Sequence, residues 1–335
     1  MIPYGRQTLD SKDVSAVAKV LKSDFITTGP KTEEFEKKVA HYTGVRYAVS
    51  ACNGTCALHL AYLACGIKEG DEVITTPNTF VATTNMLLAV GARPIFCDIK
   101  MDTYNIDEKK IENLITKRTK AIVVVHFAGH PCDMDIIWKI AKKNKLLVIE
   151  DAAHAIGAIY KKKYIGSGKS DLITFSFHAV KPITTGEGGM ILTNNKKIYK
   201  KLRLLRSHGV IKDKKGFNIM QDFGYNYRIT EMQSALGISQ LKKLKHFLVK
   251  RHSLVKEYEK KLKNIKDIIL PQEKKYVYST WHIYVIRVKR KSDKLPLYIF
   301  LLKNGIGANF HYPCVYKHPY YKKMGYKNHL KNAET

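Results

Sequence analysis

The sequence predicts an α/β protein, a mainly parallel sheet with helices on both faces, followed by a small α+β C-terminal domain. Strand and helix signals alternate from about residue 46 to residue 193. The strand runs are short, β-rich and apolar, as strands covered on both faces must be. After residue 193 the alternation stops. A chain of 335 residues, 45% of them apolar, can bury one large core and a smaller one. In such sheets ligands sit beyond the carboxyl ends of the strands.

Taken in order, RYAVS (46–50) reads as a strand and GTCALHLAYLACG (54–66) as a helix that Gly66 stops. DEVITTP (71–77) is a strand and TFVATTNMLLAVG (79–91) a helix. RPIFCDI (93–99) is a strand, IDEKKIENLI (106–115) a helix, and KAIVVVHFA (120–128) a strand. MDIIWKIAKKN (134–144) has helical apolar spacing and KLLVIEDAA (145–153) reads as a strand. DLITFSF (171–177) and GGMILTN (188–194) close the series. Next come a helix around Lys196 to Arg206, a long polar loop from Ser207 to Tyr227, and one long helix from about Thr230 to Lys263. The remainder predicts a strand over TWHIYVIRV (280–288), a helix over KLPLYIFLLKNG (294–305) and a strand over GANFH (307–311). These divide the chain into a large domain, residues 1–245, and a small domain, residues 246–335.

Composition excludes several classes. The longest apolar stretch, around Ala121 to Val125, is too short to span a bilayer, and MIPYGRQTLDSKD lacks the apolar run of a signal peptide. The six cysteines are scattered with no C-x-x-C pair, which fits reduced thiols in a cytoplasm. The net charge of +29 comes from lysines spread along the chain, which outnumber arginines about five to one. Nucleic-acid readers cluster arginine instead, so neither nucleic acid nor membrane is an expected partner. HFAGHPCD (126–133) has histidines at metal-like spacing, but Gly129 and Pro131 break any helix there, and a turn rather than a metal site is expected.

The chemistry concentrates in DLITFSFHAVKPITTGEGG (171–189). An apolar strand ends at Phe177 and Lys181 follows, at the carboxyl edge of the sheet. A desolvated lysine amine there has the lowered proton affinity that Schiff-base chemistry needs, although a lysine in a loop is also an ordinary surface residue. Asp151 ends LLVIED; a carboxylate there can pair with a pyridinium nitrogen or cap the next helix. His154 suits the edge of a cofactor ring, or a satisfied core position. Asn53-Gly54-Thr55-Cys56 stands between strand and helix, where free N–H groups and the helix dipole favour a phosphate. Ser176 offers another phosphate hydrogen bond, and Phe80 an aromatic face for a flat heterocycle.

In the order GT, F, D-x-x-H, S-x-x-x-x-K, the sequence resembles the DegT/DnrJ/EryC1/StrS family, the sugar aminotransferases of pyridoxal-phosphate fold type I. The resemblance runs along essentially the whole chain. It includes PYGRQ (3–7), the TTGPK and EFE stretch from Thr27 to Glu36, NGTCALHLA and PNTFVATTN. It continues through EDAAHAIGA, TFSFHAVKPITTGEGG, LRSHG, GYNYRITEMQSALG and HYP (311–313). By position the resemblance implies Lys181 as the lysine that carries pyridoxal 5'-phosphate, Asp151 as the pyridinium partner, His154 beside the ring and Phe80 on its face. It implies Gly54, Thr55, Cys56 and Ser176 around the phosphate, with Asn226 reaching the phosphate of a second subunit in a homodimer with shared active sites. Tyr4, the segment Asp24, Phe25, Ile26 and Thr27, and His311, Tyr312 and Pro313 are the expected substrate contacts.

Within the family, the Lys181 loop and PNTFVATTN look most like enzymes that make a 4-amino sugar for pseudaminic acid. The implied reaction moves an amino group from glutamate to C4 of a UDP-linked 4-keto-6-deoxy-N-acetylhexosamine. Another nucleotide-linked keto sugar, a dehydratase or lyase reaction, and a non-catalytic cofactor-binding relative are the alternatives. Lys181 argues against the branch that replaces this lysine with histidine. Family members continue past the point matched by Thr335 with a further strand and helix, so the small domain is expected to be incomplete and to expose apolar surface.

Overall fold

A computed structural model describes residues 1–335. Two helices open the chain, α1 (Ser11–Leu21) and α2 (Pro30–Thr43), and pack on a later helix, α7 (Glu231–Leu241). A seven-stranded sheet follows, built from β1 (Tyr47–Ala51), β2 (Glu72–Thr75), β3 (Arg93–Phe96), β4 (Thr119–Val125), β5 (Leu147–Asp151), β8 (Leu172–Ser176) and β9 (Gly189–Thr193). Its spatial order is β1-β9-β8-β5-β4-β2-β3, and β9 alone runs against its neighbours. Two short strands, β6 (Ile159–Tyr160) and β7 (Lys163–Tyr164), lie outside it.

The sheet separates two cores because successive side chains point to opposite faces. Along β4, Ile122 and Val124 join one core while Ala121 and Val123 join the other. α3 (Gly54–Ala64), α4 (Ala82–Ala89) and α6 (Lys196–Arg206) cover one face through Leu58, Leu60, Leu87, Leu202 and Leu205. α2, α5 (Met134–Asn144), α7 and α8 (Leu244–Leu262) cover the other through Phe35, Ile137, Ile238 and Leu248. Every buried strand is sealed on both sides, so the open ends of the sheet are where a ligand can reach it.

Several expected elements differ. The long helix is two, α7 and α8, broken at Lys242 and Lys243; Lys243 turns its ammonium to Asp10, 3.1 Å away, and to Asp13. IDEKKIENLI makes two 3-10 turns, Glu108–Lys110 and Glu112–Leu114, because buried Glu108 is drawn into an ion pair with Lys100 at 3.0 Å. The polar loop after α6 contains a hairpin, β10 (Val210–Lys212) and β11 (Asn218–Met220).

Beyond α8 come β12 (Ile268–Ile269), β13 (Val277–Tyr278), β14 (Arg287–Val288), α9 (Lys294–Lys303) and α10 (Pro319–Lys323). The expected strand over TWHIYVIRV keeps only β14 in a ladder. Its start is bonded to the turn after β4 instead, Thr280 N–H to Gly129 and His282 N–H to Ala128, with Trp281 at φ +48. GANFH forms no ladder; Gly307 N–H donates to Ile2 at the start of the chain.

Candidate active site

Lys181, Asp151, His154, Phe80, Gly54, Thr55 and Ser176 line one cavity of about 470 Å³ beyond the carboxyl ends of β1, β2, β5 and β8. They arrive from four strand ends, Gly54 and Thr55 after β1, Phe80 after β2, Asp151 and His154 from β5, and Ser176 and Lys181 from β8, as open α/β sheets dictate. Lys181 sits in the turn after β8, where its N–H donates to the His178 carbonyl at 2.9 Å. Its amine makes no ion pair. Burial pushes its proton affinity down, against the pull of Asp151, to a pKa of about 8.

Asp151 is 5% exposed. Burial raises its pKa; hydrogen bonds from Thr83 and from the Ala153 N–H, then the charges of Lys181 and His126, oppose that rise. His154 is buried, and burial followed by the nearby Lys181 and His311 drives its pKa well below the usual imidazole value, so it is neutral. Its Nδ1 has no protein partner, while Nε2 lies 3.5 Å from the Tyr312 hydroxyl.

The start of α3 forms the third wall. Asn53 caps the helix by accepting the Cys56 N–H at 2.8 Å, leaving the Gly54 and Thr55 N–H groups without an intrahelical acceptor. A Cβ on Gly54 would lie 2.9 Å from Ser176 Cβ, so only glycine lets helix and strand close this tightly. Cys56 was expected here but does not line the cavity; its N–H is spent on the cap.

Of the expected substrate contacts, Tyr4, His311 and Tyr312 line the cavity, with the Tyr4 and His311 rings 5.5 Å apart. Pro313 lines a neighbouring cavity instead. Asp24, Phe25, Ile26 and Thr27 are exposed outside the cavity; Asp24 and Phe25 border a groove against α1, and the Ile26 carbonyl accepts the Glu231 N–H at 3.2 Å. Asn226 is exposed and outside the cavity of its own chain, pairing through its backbone with Ser207.

The matching family model, the DegT/DnrJ/EryC1/StrS aminotransferase family, spans residues 7–335. The chain belongs to the DegT/DnrJ/EryC1/StrS aminotransferase family. It is 44% identical over 340 residues to the UDP-4-amino-4,6-dideoxy-N-acetyl-beta-L-altrosamine transaminase of Campylobacter jejuni, with 100% of this chain and 90% of that protein covered. The structure of Helicobacter pylori PseC, an aminotransferase involved in the biosynthesis of pseudoaminic acid, superposes with a TM-score of 0.95 at 38% identity, covering 99% of this chain and 90% of PseC. The PLP form of the putative sugar aminotransferase Spr1654 from Streptococcus pneumoniae gives a TM-score of 0.94 at 29% identity over 99% of this chain and 90% of that one. This family member therefore has the α/β fold, a mainly parallel sheet sheathed by helices, that its sequence predicts.

Sequence reasoning missed other cavity residues: Thr79, Thr83, His178, Glu187, His282 and Asn309. Thr79 and Thr83 stand four apart in PNTFVATTN around the start of α4, a spacing visible in the sequence but not by itself a sign of function. His282 was not legible, because its segment reaches the site through hydrogen bonds to the 126–129 turn rather than through a strand. The turn from His126 to His130 commits both of its imidazoles to protein partners. His126 accepts the Cys132 N–H at Nδ1 and donates from Nε2 to Glu150 at 2.8 Å; His130 bonds the Pro131 carbonyl and the Lys274 N–H.

Proposed function

We propose that this protein is a pyridoxal 5'-phosphate-dependent aminotransferase that moves an amino group from glutamate to C4 of a UDP-linked 4-keto-6-deoxy-N-acetylhexosamine, a step of pseudaminic acid biosynthesis. The observation that carries the reading is the desolvated, unpaired amine of Lys181 in one cavity with buried Asp151 and the open start of α3. The substrate class is supported by the names of the Campylobacter jejuni and Helicobacter pylori relatives, and the cofactor by the PLP form of the Streptococcus pneumoniae one.

The residues present fit that cofactor. A glycine cradle with two free N–H groups suits a phosphate, the unpartnered Nδ1 of His154 is a buried polar atom awaiting a ligand, and the Asp151 carboxylate suits a cationic ring nitrogen. When bound, the cofactor supplies an electron sink that lets the carbon bearing the amine lose and regain a proton. Lys181 holds the cofactor and, with a proton affinity near neutrality, takes and returns a proton at Nζ. Asp151 keeps a negative charge against the ring nitrogen. His154, neutral, orients through a hydrogen bond rather than a charge. Gly54, Thr55 and Ser176 receive the phosphate, Phe80 covers the ring, and Tyr4, His311 and Tyr312 meet the nucleotide sugar.

The same reading makes the protein a cytoplasmic homodimer in which Asn226 of each chain serves the other's phosphate. Support comes from the exposure of Asn226 outside its own cavity and from Phe217, Ile219, Met220 and Phe223, apolar side chains exposed on and beside the β10–β11 hairpin. Six free cysteines support a reducing compartment, and no helix is long and apolar enough to cross a membrane.

The test is product analysis. Purified protein given glutamate and the UDP-linked keto sugar yields 2-oxoglutarate and the 4-amino sugar, read by mass spectrometry. A dTDP-linked keto sugar aminated far faster than any UDP-linked one overturns the substrate class.

A further inference from the structure

Asp151 is held by two donors of its own chain. The Ala153 N–H reaches Oδ1 at 3.1 Å and the Thr83 hydroxyl reaches Oδ2 at 2.7 Å. The Thr83 oxygen lies in turn 2.7 Å from the hydroxyl of Thr79. All three side chains of this line are buried. The backbone behind it is also fixed, since the buried Tyr62 hydroxyl donates to the Thr83 carbonyl at 2.9 Å.

Charge sets the direction of the hydrogens. An ionised carboxylate only accepts, so Thr83 spends its single hydroxyl hydrogen on Asp151. The Thr83 oxygen then accepts from Thr79, and the line runs Thr79 to Thr83 to Asp151. A proton on Oδ2 would oppose the hydrogen that Thr83 aims at it, and a proton on Oδ1 would weaken that oxygen as acceptor of the Ala153 N–H. The arrangement therefore favours the ionised carboxylate and fixes its plane.

We propose that Thr83, backed by Thr79, is a positioning residue that orients the Asp151 carboxylate and holds it ionised. The inference deepens the proposed function and rests on it for the role of Asp151 toward the cofactor. The titratable groups facing Asp151 are Lys181 from the turn after β8, His126 at the end of β4, Tyr62 from α3 and Tyr312 from the C-terminal part. The Thr83 hydrogen bond opposes the effect of burial on Asp151, together with the Ala153 N–H and the charges of Lys181 and His126. Thr83→Val keeps the branched shape and removes the hydrogen; Thr83→Ser keeps the hydrogen and removes the methyl.

The experiment follows the Asp151 carboxyl carbon by 13C NMR in cofactor-free protein, beside steady-state kinetics of the loaded enzyme. Thr83→Val should raise the Asp151 titration by about one unit and lower kcat about ten-fold, with both KM values within about two-fold. Thr83→Ser should restore the titration and most of kcat. An unshifted Asp151 in the valine variant overturns the proposal, as does a rise in KM at unchanged kcat, or a serine variant as impaired as the valine one. If the valine variant does not fold, Thr79→Val, one link further out, should show a smaller upward shift, and no shift there is equally fatal. A wild-type protein that takes up no pyridoxal phosphate would sink the cofactor reading alone, because the titration in cofactor-free protein still decides the role of Thr83.

Discussion

Gly54 and Ser176 stand so close that a Cβ on the glycine would lie 2.9 Å from the Cβ of the serine. Neither atom is the end of a flexible chain, so Gly54→Ala must push α3 away from β8. Overpacking of this kind costs about 1–3 kcal/mol, and it displaces the two free N–H groups at the helix start. Gly54→Ala should lower the melting temperature and weaken pyridoxal phosphate at least about ten-fold, a loss of about 1.4 kcal/mol. Adding Ser176→Gly should recover much of the stability, whereas Ser176→Ala, which keeps the Cβ, should not. Titration of cofactor fluorescence and thermal melts of the four proteins check this.

Lys181 gives a prediction about pH. Its folded pKa, about 8, lies below the ordinary lysine value of 10.5. At pH 7 both folded and unfolded chains carry the proton, and the folded chain bears the full cost of burying it. Between about pH 8 and 10.5 the unfolded chain binds more protons, so this group's contribution rises with pH. Cofactor-free Lys181→Met should therefore be more stable than wild type at pH 7, by about 1–3 kcal/mol. The difference should shrink toward pH 10. Urea midpoints at pH 7 and pH 9.5 measure it, and a constant difference would show that the amine is solvated.

Glu231 performs a job that α2 cannot do for itself. Gly29 at the N-cap of α2 has no side chain, and the buried Glu231 carboxylate takes its place from the start of α7. It accepts the Lys31 N–H at 2.6 Å, the Thr32 N–H at 2.7 Å and the Thr32 hydroxyl at 2.6 Å. Glu231→Ala strands three buried or part-buried donors, at a cost of about 2–4 kcal/mol. Hydrogen exchange at residues 30–33 should accelerate more than exchange in β4, which distinguishes a lost cap from general loosening.

The parts of the fold that were legible in the sequence are those where one physical pattern acts alone. β4 is apolar from Ala121 to Val125 because both its faces are covered there; its start was found within a residue, while the expected strand ran three residues past its end. The residues after β1, β5 and β8 gather in one cavity because they stand at strand ends, a position that the alternation of strands and helices already gives them. Legibility failed where a distant partner decides. Nothing local to Lys242 and Lys243 announces that Asp13, more than two hundred residues earlier, will break the helix there. Nothing local to Trp281 or His282 says that their segment bonds to the turn at Ala128 and Gly129 instead of a strand. Thr83 was visible but indistinguishable from any small helix residue until Asp151 stood 2.7 Å away.

Asn226 and Lys181 supply the last prediction. The loop from Ser207 to Tyr227 carries a hairpin, on and beside which Phe217, Met220 and Phe223 are each more than 60% exposed, and near its end an exposed Asn226 that does not line the candidate active-site cavity of its own chain. The proposed two-fold dimer through this arm would give each site Lys181 from one chain and Asn226 from the other. Mixing then has a definite outcome. Lys181→Ala in one chain and Asn226→Ala in the other are each crippled as homodimers. In the heterodimer, one site has lost both residues and the other retains both. Activity should return to about half the wild-type value per dimer, by counting sites under that symmetry. If Asn226 served its own chain, every site in the mixture would lack one residue and mixing would restore nothing. Subunit exchange is confirmed independently with two differently tagged chains, so that an inactive mixture containing the tagged heterodimer disproves the shared site.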